Sequence, residues 1–209
     1  MPASGDDLDK MIAMSEEARS RLGWDLLADY MSLQGRGLRK PALEVLDKFV
    51  EVAAESPFED RLTLALWMLA GLDTNKVAAP LSWKIIQPTC REWLTREPEN
   101  PQAHLWFANL NLGDVEAHYR KVLELDPGCD EARGSLCNIL TGDIWFNQHH
   151  LPDYYIKSPL ADLLDLAEAE AIWIGHDTSK TAVYWLNEIA QYRLNAEAWL
   201  KDHPPSEAK

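Results

Sequence analysis

The chain has 209 residues, of which 34 are acidic and 20 are basic, so its formal net charge at pH 7 is −14. This excess of negative charge argues against nucleic acid as a partner, because phosphate binding needs clustered lysine and arginine side chains. Hydrophobic residues make up 46% of the chain, the balance of a globular protein that can bury a core. No apolar run approaches the roughly 18 residues that a membrane-spanning helix needs. We therefore expect a protein that binds neither nucleic acid nor membrane.

The start of the sequence and the cysteine content indicate a cytoplasmic protein. The first residues have neither the basic stretch nor the apolar stretch of a secretory signal peptide. The three cysteines, Cys90, Cys129 and Cys137, are odd in number and have no Cys-x-x-Cys spacing. Sparse cysteines without such spacing are typical of reduced proteins in the cytosol.

Apolar residues recur at helical spacing along almost the whole chain, and no convincing strand alternation is present, which predicts an all-α fold. The helices expected from this spacing are 6–34, 40–55, 58–72, a segment within 77–96, 101–112, 114–125, 130–141, 143–148, 159–174 and a last helix that ends near 202. We expect a single all-helical domain over 1–202. Its parts are N-terminal helices in 1–56, helix pairs in 57–148, C-terminal helices in 159–202 and a flexible tail at 203–209.

Glycine and proline mark the expected breaks. Gly23 is predicted to interrupt or kink the first helical stretch, because glycine is unfavourable in a helix interior. Pro80 and Pro88 both lie within 77–96, where proline removes a helical hydrogen bond and clashes with the preceding turn. The segment is therefore expected to kink, or to break before a short helix that begins at Thr89.

The two C-terminal helices are each predicted to bury one apolar stripe. Ser158 is expected to cap the first of them, and Asp177 or Thr178 the second. The residues expected to face the core from the first helix are Leu160, Leu163, Leu164, Ala167 and Ala171. Those expected to face it from the second are Val183, Leu186, Ile189, Ala190, Tyr192 and Trp199.

The sequence repeats itself at an offset of 29 residues. The matched pairs include core and turn residues alike: Arg91 with Arg120, Leu94 with Leu123, Pro98 with Pro127, Ala103 with Ala132, Asn109 with Asn138, Gly113 with Gly142 and Asp114 with Asp143. Because chance rarely reproduces turn and core residues together, the repeat indicates stacked supersecondary structures.

Two parts of this repeat carry a family resemblance. Val122-Leu-Glu-Leu-Asp-Pro127 resembles the end of a tetratricopeptide repeat, and Glu116-Ala-His-Tyr119 resembles the middle of its second helix. The resemblance is clearest over 90–143, with a period shorter than the family's 34 residues. It implies antiparallel helix pairs stacked into a short right-handed superhelix, with flanking helices and a concave face that binds proteins or peptides. A different α-solenoid or a compact helical bundle is the alternative.

The segment 145–155 is the most unusual part of the sequence. Its aromatic, histidine and acidic side chains are Trp145, Phe146, His149, His150, Asp153, Tyr154 and Tyr155. Aromatic side chains give a large contact area at a low entropic cost, so one interpretation is a binding loop at the end of a groove. The other interpretation is a connection whose rings cover the end of the repeat core. Asn109 and Asn138 would line such a groove by their positions in the repeat.

Catalytic and metal-binding patterns are missing from the sequence. His149, His150 and Asp153 are suitable ligand types, but adjacent residues on a helix point about 100° apart. No His-x-x-x-His spacing, nucleophile elbow or phosphate-binding glycine loop is present. We therefore expect no enzyme activity, no metal and no cofactor.

Acidic residues concentrate in the stretch 153–170. The stretch contains one basic residue, Lys157, and five acidic ones: Asp153, Asp162, Asp165, Glu168 and Glu170. One interpretation is a solvated helix face that keeps the protein soluble. The other is an acidic surface that attracts a basic partner through complementary potential.

These patterns favour a non-enzymatic protein-interaction module that binds a protein or peptide. A narrower hypothesis is a bacterial immunity protein, antitoxin or dedicated chaperone that binds a basic partner protein. A hypothesis of a different class is a small-molecule or metal-dependent activity near 145–155.

Overall fold

The computed structural model describes residues 5–176 and 179–204, with the backbone alone for 5–8. Within these ranges the chain is helical and has no β-strand, and helices pack against their neighbours in chain order, which confirms the predicted all-α helical stack. None of the described helices is both long and apolar enough to cross a bilayer. The α-helices are α1 (Gly5–Arg19), α2 (Asp25–Gly35), α3 (Arg39–Ala54), α4 (Phe58–Gly71), α5 (Ala79–Leu81), α6 (Gln87–Arg96), α7 (Pro101–Asn109), α8 (Val115–Leu125), α9 (Asp130–Gln148), α10 (Pro159–Trp173) and α11 (Lys180–Asp202).

The chain forms two compact units. The N-terminal unit comprises Met1–Pro98 with Asn109–Leu112, and the C-terminal unit comprises Glu99–Ala108 with Gly113–Lys209. The boundary therefore falls inside the segment 57–148 that was expected to hold the helix pairs.

In the N-terminal unit, α1 packs against α2, α2 against α3, and α4 against α6. The first two helices are separated at the predicted glycine, because Gly23 has a φ of +82°, a left-handed conformation that only glycine adopts freely. Large side chains that are fully buried in this unit include Leu27, Met31, Leu46 and Met68.

The segment around Pro88 stays helical through a local change of helix type. A π-helical turn, Ser82–Ile86, joins α5 to α6, and the Gln87 N–H donates to the carbonyl of Ser82, five residues earlier. Pro88 follows directly, in the first turn of α6, where a missing N–H costs little. The predicted break before Thr89 therefore does not occur, and the helix continues through Pro88 by way of the π-helical turn.

Helix α9 is longer than the sequence indicated. Gly142 was expected to end one helix and begin another, yet it lies in the interior of α9. A glycine inside a helix costs only about 1 kcal/mol, and the buried Leu140 and Ile144 on either side of it offset that cost. The Gly-Asp turn at Gly113 therefore has no structural counterpart at Gly142.

Helices α8 to α11 build the core of the C-terminal unit. Its fully buried large side chains come from α9, α10 and α11 and are Leu136, Ile144, Leu166, Trp173 and Ile189. The tail residues 205–209 lie outside the described residues.

The inward face of α10 differs from the predicted one. Its buried residues are Asp162, Leu166, Ala169 and Trp173. Of the predicted inward residues, Leu160, Leu164, Ala167 and Ala171 are exposed, and Leu163 is half-buried. Both sets recur at the same helical spacing, so periodicity alone does not choose between them. The structure buries the set that includes the largest side chain, Trp173, together with one carboxyl group.

Helix α11 follows its prediction in part. Ile189 is buried, and Leu186, Tyr192 and Trp199 are half-buried, but Val183 and Ala190 are exposed. Ser179 caps this helix by accepting the Ala182 N–H. The residues predicted to cap it, Asp177 and Thr178, lie outside the described residues. At the start of α10 the prediction is confirmed, because the Ser158 hydroxyl accepts the Ala161 N–H.

Candidate functional site

The last two turns of α9 separate exposed rings from buried amides. Trp145, Phe146, His149 and His150 are exposed, whereas Asn147 and Gln148 are almost completely buried. At about 100° per residue, the four exposed positions share one arc of the helix and the two amides lie on the opposite arc. The helix end therefore presents rings to solvent and polar groups to the protein interior.

The exposed rings contact one another in a continuous ladder. Trp145 stacks on His149 at a centroid distance of 5.6 Å and an interplanar angle of 12°. The His149 and His150 centroids are 3.8 Å apart, and His150 stacks on Tyr154 at 4.6 Å. Phe146 joins the ladder at 5.1 Å from His149. We call these five side chains the aromatic ladder.

The aromatic ladder is accessible despite these contacts. Trp145 is 60% exposed, Phe146 50% and Tyr154 48%. A Cβ placed on Gly142, one turn earlier on the same face, would meet nothing within 4 Å, so the space above this face is open. Exposed rings that are held in place by their neighbours have little conformational entropy to lose on binding.

A buried polar network holds the ladder from beneath. The carboxyl group of Asp162 is 4% exposed and accepts two bonds from Asn147 Nδ2, at 3.0 and 3.1 Å. It also accepts the hydroxyl of Tyr155 at 2.6 Å. Burial, and then the bond to Asp162, raises the pKa of the Tyr155 phenol above its ordinary value. The phenol is therefore held as a donor at physiological pH.

The network extends to α11 through a second amide. Gln148 Nε2 donates to the Tyr155 hydroxyl at 3.0 Å and to the carbonyl of Tyr192 at 2.9 Å. Its Oε1 accepts Asn195 Nδ2 at 3.0 Å. Three helices and the connecting segment 149–158 are thus joined at one place.

Backbone bonds fix the connecting segment itself. The N–H of Ile156 donates to the carbonyl of Asn147 at 3.2 Å, and the N–H of Leu151 donates to that of Gln148 at 3.1 Å. The N–H of Asp153 donates to the carbonyl of His150 at 2.9 Å. Such bonds satisfy carbonyls that the end of a helix otherwise leaves free. Within 145–155, Tyr155 is thus packed inward and the aromatic ladder faces outward.

The acidic residues predicted to form one surface have different environments. Asp162 is buried, Glu168 pairs with Arg120, and Glu170 pairs with Arg193 at 2.6 Å. Asp153 and Asp165 are exposed. Asp162 is thus buried, whereas the side chains of Glu168 and Glu170 are 41% and 43% exposed and paired with arginines.

Asp165 lies among other carboxyl groups. Burial is the main cause that raises the pKa of its carboxyl above the ordinary value, and nearby negative charges add to the effect. Those charges belong to Asp162, Glu168, Glu116 and Asp143. A positive charge placed beside Asp165 would relieve this repulsion.

The two asparagines predicted to line a groove lie in different compact units. Asn109 ends α7 and belongs to the N-terminal unit, whereas Asn138 belongs to the C-terminal unit. Asn138 is exposed on α9, about two turns before Trp145 and on the same face. Asn138 therefore shares a surface with the aromatic ladder, and Asn109 is a half-buried helix end.

The amides beneath the ladder were missed by the sequence reasoning. Asn147 and Gln148 sit between exposed rings in the sequence, and amide side chains are usually exposed. The available signal was the helical arc, because a helix that places Trp145, Phe146 and His149 outward places Asn147 and Gln148 on the opposite side.

A second candidate feature lies in the N-terminal unit. It is an open groove of about 430 Å³, and the residues that line it include Leu22, Trp24, Phe49, Val52 and Arg61. Leu22 is fully exposed at its edge, and Trp24 packs against Trp67 at a centroid distance of 5.0 Å. The sequence patterns did not indicate this groove.

Among the described residues, no three histidine, cysteine, aspartate or glutamate side chains come together in a way that could hold a metal ion. Burial raises the pKa of the Cys90 thiol to about 12 and that of Cys137 to about 11, so both thiols are held in the protonated form. Neither of these thiols has the lowered pKa of a nucleophile.

The chain was compared with protein-family models, with curated proteins and with solved structures. No family model, curated protein or solved structure matches it. The tetratricopeptide-like character of the helices thus remains a prediction from the residues.

Proposed function

We propose that this protein is a non-enzymatic, cytoplasmic interaction module that binds a partner protein through the aromatic ladder and the adjoining face of α9. The observation that carries the proposal is a chain of five accessible rings, each in contact with the next and two pairs of them stacked, with a buried polar network on the opposite side of the helix. Large aromatic side chains dominate the binding energy of many protein interfaces.

The exposure and the fixed position of these rings support a role in binding a partner rather than in covering the protein core. Rings that only covered a core would be buried, but Trp145 and Phe146 are at least half exposed. A soluble protein seldom keeps such a cluster of exposed rings without an interaction that covers it. The bonds from Asn147, Gln148 and Tyr155 position the segment before any partner arrives, which lowers the entropic cost of association.

The tetratricopeptide-like reading is part of this proposal. It is supported by the residue repeat over 90–143 and by helices that pack against their chain neighbours. An immunity protein, antitoxin or dedicated chaperone is a narrower form of the same role, and it requires a basic partner.

The proposal is tested by affinity capture from cells that express the protein naturally. The bait variant Trp145→Ser/Phe146→Ser removes two exposed rings without touching the core. The matched control is Val183→Ser/Leu194→Ser, because these two α11 side chains are 50% and 61% exposed. We expect a protein captured by the wild type and by the control to be lost from the ladder variant.

Circular dichroism and thermal unfolding of all three baits establish that each is folded. A captured set that is identical for the ladder variant and the wild type would contradict the proposal. Turnover of a small molecule by the purified protein, abolished by the ladder substitutions, would also contradict it.

A further inference from the structure

The outer face of α10 is an apolar stripe that the described part of the chain leaves open. Leu160 is 51% exposed and Leu164 is 73% exposed, and Ala167 and Ala171 continue the stripe at helical spacing. From Leu160 to Ala171 it extends about 17 Å, or three helical turns. An amphipathic helix that binds in a groove anchors itself through residues at i, i+3, i+4 and i+7, which a stripe of three turns can accommodate.

Carboxylates border this stripe on one side. At about 100° per residue, Glu168 lies next to Leu164 and Ala171 around the helix, and Asp165 lies farther around, about 100° from Leu164. Glu168 is paired with Arg120, whereas Asp165 makes no hydrogen bond or ion pair with the described residues. Asp165 is thus an accessible carboxylate among other acids, farther around the helix from the exposed leucines than Glu168 is.

The charge of the whole C-terminal unit has the same sign. Residues 99–209 contain 18 acidic and 8 basic side chains, a net charge of −10 out of the −14 of the chain. A second copy of this chain would bring an equal negative charge against the stripe. A basic partner would instead be attracted to it, with association accelerated at low ionic strength.

We propose that the outer face of α10 docks a basic amphipathic helix of a partner protein. This inference goes beyond the proposed function, because it assigns a second surface, on α10, and names the chemistry of the partner that docks there. Apolar side chains of the partner helix contact Leu160 and Leu164, and a lysine or arginine beside them pairs with Asp165.

The test uses the full chain and two synthetic helical peptides of about 18 residues, or five turns. Both peptides carry leucines at the same helical spacing; one has lysine at the polar positions and the other has glutamate. Binding is measured by fluorescence anisotropy at low and at physiological salt. We expect the lysine peptide to bind, more tightly at low salt, and the glutamate peptide to fail.

Two variants locate the binding surface. Leu164→Ser is expected to raise the Kd of the lysine peptide about tenfold, because it removes an exposed apolar contact. Asp165→Asn is expected to raise it several-fold and to weaken its salt dependence. Leu22→Ser, at a fully exposed leucine of the N-terminal unit, is the control and is expected to leave the Kd unchanged.

Three results would overturn this inference. They are equal binding of the two peptides, no binding of the lysine peptide, and a Kd unaffected by both Leu164→Ser and Asp165→Asn. Sedimentation that shows a wild-type dimer and a monomeric Leu164→Ser variant would also overturn it, since a second copy would then occupy the stripe. The proposed function is judged separately, because the capture experiment depends on Trp145 and Phe146, and Trp145→Ser is expected to bind the lysine peptide as the wild type does.

Discussion

The hydroxyl of Tyr155 donates to Asp162 Oδ2 at 2.6 Å, in a site where Asp162 is 4% exposed. This bond joins the segment that carries the aromatic ladder to the first turn of α10. The two residues are only seven positions apart, but one is outside a helix and the other is on a face that periodicity assigned to solvent.

The substitution Tyr155→Phe tests this bond. It leaves a buried carboxyl group short of one donor, so we expect the free energy of unfolding to fall by about 1–3 kcal/mol. Urea denaturation measures the change. The control is Tyr154→Phe, at the neighbouring exposed tyrosine, where we expect a change within about 0.5 kcal/mol. Equal effects of the two substitutions would show that the network does not support the segment.

The buried side chain of Arg133 provides a second test of how hydrogen bonds stabilise the C-terminal unit. Its side chain is 3% exposed and donates to the carbonyl of Ile172 at 2.9 Å and to Asp130 at 2.6 Å. It thereby satisfies a carbonyl in the last turn of α10. We expect Arg133→Met to lower the free energy of unfolding by about 1–3 kcal/mol, because it leaves the half-buried carbonyl of Ile172 without its donor and removes the bond to Asp130.

The matched control for Arg133 is Arg120→Met. Arg120 pairs with Glu116 and Glu168, but its side chain is 42% exposed. Exposed ion pairs contribute about 0–1 kcal/mol. The account of Arg133 is wrong if the two variants unfold at the same urea concentration.

Two histidines of the C-terminal unit predict a pH dependence. His104 Nδ1 and His118 Nδ1 are 2.8 Å apart, so one nitrogen donates and the other accepts. Burial, and then the charge of His104, lowers the pKa of His118 below its ordinary value. The unfolded chain therefore binds a proton more readily than the folded chain, and stability should decrease as the pH falls below about 6.5.

Thermal unfolding between pH 8 and pH 5 measures this dependence. We expect the loss of Tm toward acid pH to be smaller for His118→Asn than for the wild type. His203→Asn, outside this pair, serves as the control and is expected to keep the wild-type slope. If Tm depends on pH in His118→Asn as it does in the wild type, the histidine pair is not the cause of the pH dependence.

The cysteines are expected to differ in reactivity. Cys90 and Cys137 are buried with raised pKa values, whereas Cys129 is half-buried just before α9. We expect a thiol reagent to modify Cys129 first in the native protein and all three thiols after denaturation. Mass spectrometry of the labelled peptides identifies the modified residue, and early labelling of Cys137 would contradict the described core.

Local backbone chemistry made much of the fold predictable. Ser158 before Pro159 and the glycine at Gly23 mark helix boundaries because their effects depend on adjacent residues. The helix face of α10 was not predictable in the same way. Leu160 and Leu166 belong to two stripes of equal periodicity, and only the packing of Trp173 and the donors for Asp162 select between them.

The candidate site, too, was predictable where it depends on local sequence and not where it depends on contacts between helices. The sequence indicated the rings at 145–155 from their composition alone. It did not indicate the supporting amides, because Asn147 and Gln148 find their partners on α10 and α11, up to 47 residues away in the sequence. The repeat pattern predicts a helix end at Gly142. The helix continues instead because Leu140 and Ile144 are buried, and their burial depends on contacts that the repeat pattern does not show.

The central claim is that a partner protein covers the aromatic ladder. Oxidative footprinting of the captured complex tests it most directly, because the reagent modifies accessible aromatic side chains. The account predicts that Trp145, Phe146 and Tyr154 are oxidised in the free protein and protected in the complex, while Trp83, which is 69% exposed in the N-terminal unit, keeps its reactivity. Unchanged oxidation of Trp145, Phe146 and Tyr154 in the complex would contradict it.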